Sequence, residues 1–209
     1  MNVFDVIVVG GRVAGAATAM LLARAGARVV LVDRGRYGSD TLSTHALMRA
    51  GVMQLSRWGL LDAVVASGAP PVRRTLFHHD DGETVQVSIR AYGGVDALYA
   101  PRRHVLDALL VDAAAAAGVE VRHETTVTGL LRDRYSRVHG VRCVDAGGRR
   151  FDLRAPVTIG ADGIRSVVAD QVGAPAVRQG THAGAVLYRY LTDLPVAGYE
   201  WAWGGRSVR

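Results

Sequence analysis

At 209 residues and 49% hydrophobic content, the chain is long enough for one large or two small domains, with very roughly 70% of its unfolded surface buried. Its net charge of +6 rests on arginine alone: there is no lysine, and the 25 basic residues are spread along the chain rather than clustered with aromatics, which argues against a nucleic-acid module. No apolar run reaches membrane-spanning length, the single Cys143 cannot form an internal disulfide, and a strand beginning at Val3 leaves no room for a signal peptide; the expectation is a cytoplasmic protein with no integral membrane segment.

The first 34 residues read strand, glycine turn, helix, strand, acid. Val6 to Val9 form a continuous apolar run, as in a parallel strand buried on both faces. Gly10 and Gly11 allow a sharp turn, and the following helix, opening through Val13 and Ala14, offers free N–H groups and a positive dipole end to a pyrophosphate. Gly15 with Ala14, Ala16, Ala17 and Ala19 keeps one helix face slim for close packing. Gly26 ends the helix, Ala27 to Val32 form the second strand, and Asp33 at its end, followed by Arg34, is placed to accept from a ribose hydroxyl. This is the layout of a dinucleotide-binding βαβ unit, with one departure. The pattern G-x-G-x-x-G becomes Gly10-Gly11-Arg12-Val13-Ala14-Gly15, so Arg12 stands where the middle glycine lets backbone approach phosphate. Its side chain either points away from the phosphates or contacts the cofactor itself.

A polar loop over 35–43 leads to a predicted helix from Thr44 to Trp58, interrupted at Gly59 and resuming from Leu60 to Val65. Arg74 to His79 and Thr84 to Arg90 flank the turn Asp80-Asp81-Gly82 and predict a hairpin. Pro101 precedes a helix from Arg103 to Ala117, and Val119 to Val127 read as one strand. Val138 to Val144 and Arg149 to Leu153 predict a β-meander, and Pro156 to Gly160 a short strand running into Ala161-Asp162-Gly163. Leu187 to Leu191 predict a further strand. Cys143 reads as a small buried hydrophobe. His78 and His79 are adjacent in a strand and point to opposite faces, which argues against zinc. No Ser-His-Asp set or protein nucleophile is evident, so no catalytic residue and no metal ligand is singled out.

With the glycine turn and Asp33 joined to PRRHVLD (Pro101 to Asp107) and GADGIRS (Gly160 to Ser166), the chain resembles the FAD-dependent monooxygenase and geranylgeranyl-reductase-like flavoprotein family. The resemblance implies an α/β fold. A Rossmann-like FAD-binding domain with a parallel sheet and a β-meander crossover would span 1–70 and 100–170. An incomplete β-rich substrate domain would span 71–99 and 171–209. It further implies that Asp33 binds the adenosine ribose of FAD, that Arg103 contacts the ribityl–pyrophosphate region, and that the strand near Val127 lies beside the adenine. Asp162 and Gly163 would touch FAD and shape the approach of reduced nicotinamide. Thr44 and His45 fall in the segment that nears the flavin in relatives. Arg103 is also a natural bidentate phosphate partner on chemical grounds.

The implied function is an FAD-dependent oxidoreductase, a monooxygenase hydroxylating a small hydrophobic or aromatic molecule with NADH or NADPH as reductant. The alternatives are a flavin-dependent double-bond reductase, a non-catalytic FAD-binding fragment, and a flavin-free NAD-binding Rossmann protein. Two departures stand out. The motif after GADG continues Ser166-Val167-Val168-Ala169, without the family's arginine, and nothing matches the family's later Gly-Asp-Ala motif. The chain therefore reads as the first half of a longer enzyme, whose uncovered apolar face would favour self-association. Trp201-Ala202-Trp203 is similar to a halogenase motif, but those enzymes need a lysine that this chain lacks.

Overall fold

The computed structural model describes residues 4–42, 46–181, 187–191, 193–194 and 198–202. They fall into two units: residues 1–43 with 102–177, and 44–101 with 178–209. Residues 44–70, which the sequence division places with the glycine turn, group instead with the hairpin.

The first unit is built on a parallel sheet. β1 (Val6–Val9) and β2 (Val29–Val32) are buried along their whole length. The sheet order is β5-β2-β1-β9, with β5 at Glu120–Arg122 and β9 at Val157–Gly160, and all neighbours run parallel. Side chains alternate across such strands. Ile7, Val9, Val30 and Val32 face a cluster completed by Val127, Leu130, Val141, Cys143 and Leu153. Those five residues belong to an antiparallel meander of β6 (Thr126–Arg132), β7 (Val138–Val144) and β8 (Arg150–Arg154). The helix α1 (Val13–Arg24) packs on β1, β2 and α4 (Arg103–Ala116), burying Gly15, Ala16, Ala17, Ala19 and Met20. Only small residues let α1 come that close: a Cβ on Gly15 would stand 1.8 Å from the Gly10 carbonyl oxygen.

The predicted strand from Val119 to Val127 is two strands in two sheets. Glu124 takes a left-handed conformation, φ 50°, between them. There the backbone wraps the end of β2: Asp33 N–H donates to the Arg122 carbonyl at 2.9 Å and Thr125 N–H to that of Asp33 at 3.0 Å. Val127 thus opens the meander instead of closing the parallel sheet. A short helix that the sequence left unread, α5 (Val167–Gln171), follows β9, with Ser166 Oγ accepting from Ala169 N–H.

In the second unit, α2 (Arg49–Trp58) begins later than the predicted Thr44, because Leu47 N–H is bonded to the Tyr99 carbonyl at 2.8 Å and Met48 is extended. Gly59, in the left-handed region, separates it from α3 (Leu61–Ala66). The hairpin forms as β3 (Arg74–His78) against β4 (Thr84–Ser88). Residues 187–191 form no strand; β10 (Tyr199–Ala202) instead runs parallel to β3. Among the described residues, no helix is long and apolar enough to cross a membrane.

Candidate cofactor site

β1, β2 and β9 end together at Gly10, Asp33 and Ala161, the edge of an open α/β sheet where ligands collect. A cavity of about 390 Å³ opens there. Gly10, Arg12, Asp33, Arg34, Arg103, Val127, Asp162 and Gly163 line it, so eight of the fourteen residues picked from the sequence come together. Gly11, Val13, Ala14 and Gly15 form the turn and the first turn of α1 beside it. Thr44 and His45 lie outside the described residues.

The turn tolerates no side chain at its base. Gly10 has φ +105°, and a Cβ there would meet the Ala161 carbonyl oxygen at 2.4 Å. This keeps backbone, not side chain, at the cavity floor. α1 opens with no side-chain cap and no acid in its first turn, so its leading N–H groups and dipole are free to face an anion.

Asp33 is fixed by backbone: Oδ2 accepts from Gly11 N–H and Oδ1 from Gly35 N–H, each at 2.6 Å. A carboxylate has lone pairs beyond these two bonds for a hydroxyl donor. Asp162 works locally, accepting from Ser166 Oγ at 2.5 Å and from Val167 N–H at 2.7 Å at the start of α5.

The arginines divide in two. Arg12 Nη1 donates to the Ser39 carbonyl at 2.6 Å and to Asp107 Oδ2 at 2.9 Å, and Nη2 donates to Ser39 Oγ at 2.9 Å. The guanidinium is drawn toward the 35–42 loop, and Arg12 also lines the cavity. Arg103 donates to the same Asp107 through Nε at 3.0 Å and Nη2 at 3.1 Å. Arg34 and Arg165 also line the cavity and make no ion pair among the described residues. With four arginines against two aspartates on its wall, the cavity carries surplus positive charge suited to an anion. The loop is strapped further by Arg102 with Asp40, by Arg36 with Glu124 at 3.1 Å, and by Tyr37 with Asp112 at 2.8 Å. The Arg102 bond holds Asp40 down at about 2, and the Asp112 bond raises the Tyr37 phenol.

Sequence reasoning missed Asp107, Arg165, Thr125 and Thr126. Asp107 and Arg165 stand inside the motifs PRRHVLD and GADGIRS, so the signal was present. The threonines reach the cavity only through the break after β5. Burial pushes the Cys143 thiol up to about 11, which leaves it protonated and inert as a nucleophile at neutral pH.

The glycine floor, the uncapped helix start, the placed carboxylate and the cationic wall fit a dinucleotide. The FAD binding domain model matches residues 3–197. The chain belongs to the FAD-binding-domain family. FAD is therefore its cofactor, and the flavin-free alternative is set aside. The FAD-binding chain is 34% identical over 199 residues to the 6-methylpretetramide 4-monooxygenase of Streptomyces rimosus, covering 90% of this chain and 45% of the relative. It is 29% identical over 176 residues to the digeranylgeranylglycerophospholipid reductase of Methanosarcina mazei, covering 81% and 40%. Among solved structures it is similar to PqsL of Pseudomonas aeruginosa, described as a probable FAD-dependent monooxygenase, with a TM-score of 0.72, 28% identity and coverage of 86% and 48%. The FAD-binding chain thus spans less than half the length of each of these relatives.

Proposed function

We propose that this chain holds FAD for an NAD(P)H-dependent monooxygenase acting on a small hydrophobic or aromatic molecule. The observation that carries this reading is the cavity at the ends of β1, β2 and β9, where a glycine floor, the start of α1, Asp33 and Arg103 converge. FAD, when bound, would supply the redox chemistry that links reduced nicotinamide to hydroxylation by oxygen.

The protein contributes binding and orientation. The α1 N–H groups at Val13 and Ala14 with Arg103 hold the diphosphate; Asp33 takes a ribose hydroxyl; Arg34 and Val127 flank the adenosine. Gly163, left-handed at φ 83° and with open space where a Cβ would be, lets ligand approach backbone closely. Asp162 acts by fixing that turn to α5. A second reading, reduction of a double bond, is supported by the similarity to the Methanosarcina reductase.

The test is a visible spectrum of purified protein after adding FAD and removing the excess, followed by NAD(P)H oxidation with oxygen uptake. Retained, shifted flavin absorbance with coupled oxygen uptake is expected. NAD(P)H oxidation without oxygen uptake would favour the reductase reading, and a folded protein that retains no flavin would sink both.

A further inference from the structure

Asp107 is a buried carboxylate to which the reading above gives no role. It is 4% exposed, one helical turn into α4. A lone carboxylate so buried would be strongly disfavoured. It is stabilised by three charge-assisted bonds from two guanidinia: one from Arg12 Nη1 and two from Arg103, through Nε and Nη2.

This arrangement does two things. It draws Arg12, which stands at the position of the middle glycine, onto the Ser39 backbone and hydroxyl, so that its long side chain packs against the 35–42 loop. It also grips Arg103 by one edge of its fork, while Nη1 makes no bond to any described residue. Both arginines line the cavity, and two cations on one anion leave a positive charge there.

We propose that Asp107 is a positioning residue: its carboxylate fixes Arg103 with one guanidinium edge free for the diphosphate of a dinucleotide. Arg12 in place of the middle glycine is tied to the same acid, on a different helix, 95 positions away. The inference rests on the FAD-binding reading.

The test compares wild type, D107N, R103Q, D107N/R103Q and R103K. FAD affinity is read by flavin fluorescence, and ADP and adenosine are read as competitors. D107N and R103Q are each expected to weaken FAD and ADP at least tenfold, with adenosine changed less than twofold. The double variant should be no more than about twofold worse than the weaker single, because Asp107 acts through Arg103. R103K keeps the charge but loses the fork, so it should weaken FAD at least fivefold; it leaves Asp107 in place and serves where D107N does not fold. D107N binding FAD like wild type, multiplicative losses in the double variant, equal losses for ADP and adenosine, or a wild-type-like R103K would each overturn the proposal. In those cases wild type still retains FAD and the functional reading stands. A wild-type chain that binds neither FAD nor ADP overturns both.

Discussion

Every residue of β1 and β2 is buried, whereas every residue of β4 is exposed and only Tyr199 of β10 is even half-buried. The two sheets differ in what covers them. The parallel sheet has α1 on one face and the meander on the other, so both sides of its two central strands, β1 and β2, are apolar and their sequences read as unbroken VIVV and VVLV. β4 alternates as TVQVS, and its register sets Val85 beside Phe77 and Phe77 beside Trp201 in one apolar row. Val85 is 39% exposed and Trp201 is 45% exposed. The candidate cavity lies at the ends of the central strands covered on both faces, which is where a binding site gains most from a stiff support.

The sharpest way to test this contrast is to cut one side chain from each sheet. Ile7 has no exposed surface, so I7A should cost about 2–5 kcal/mol through lost burial and a cavity the packed layers cannot refill. V85A, on a surface already in water, should stay within about 1 kcal/mol. Urea melts compare them, and similar losses would mean that the two sheets are equally packed. Glycines give the next contrast. G10A adds left-handed strain to an overlap with backbone that cannot move aside, together roughly 2–4 kcal/mol, and should also abolish FAD retention. Gly82, in the hairpin turn at φ +90°, has nothing within 4 Å of a built Cβ, so G82A carries only the conformational penalty of about 1 kcal/mol. Thermal melts that rank G82A as the more damaging would refute this account of the glycine floor.

What the sequence made legible follows the same divide. The βαβ unit, the glycine turn, Asp33 and the meander were readable because local pattern and tertiary role agree: apolar run, small-residue helix face and terminal acid all come from neighbouring positions. The break at Glu124 was not readable, because it is set by backbone bonds to Asp33 and Gly35, some ninety residues earlier. The late start of α2 has the same cause, a bridge from Leu47 to Tyr99. The strand expected at 187–191 failed because β-leaning residues need a partner edge, and β3 takes β10 instead. Asp107 was in view inside PRRHVLD, but its meaning lies in a pairing with Arg12 that no spacing rule connects.

The smallest expected effect concerns the loop strapped beside the cavity. Asp40 is held at about 2, first by its hydrogen bond from the Arg102 guanidinium and further by the backbone N–H of Thr41. Its carboxyl is therefore harder to protonate in the folded chain than in the unfolded one, where it titrates near 4. The stabilisation is complete above that ordinary value and disappears as pH falls from about 4 toward 2. Both partners are solvent-exposed, so water and salt screen the pair and the gain is modest. D40N removes the charge at every pH. Wild type should accordingly melt slightly above D40N between pH 5 and 8, with the gap narrowing below pH 4, closing near pH 2, and shrinking in high salt. A gap that persists unchanged at pH 2 would show that Asp40 acts through the shape of its turn, by the Thr41 bond an asparagine can also make, and not through its ion pair with Arg102.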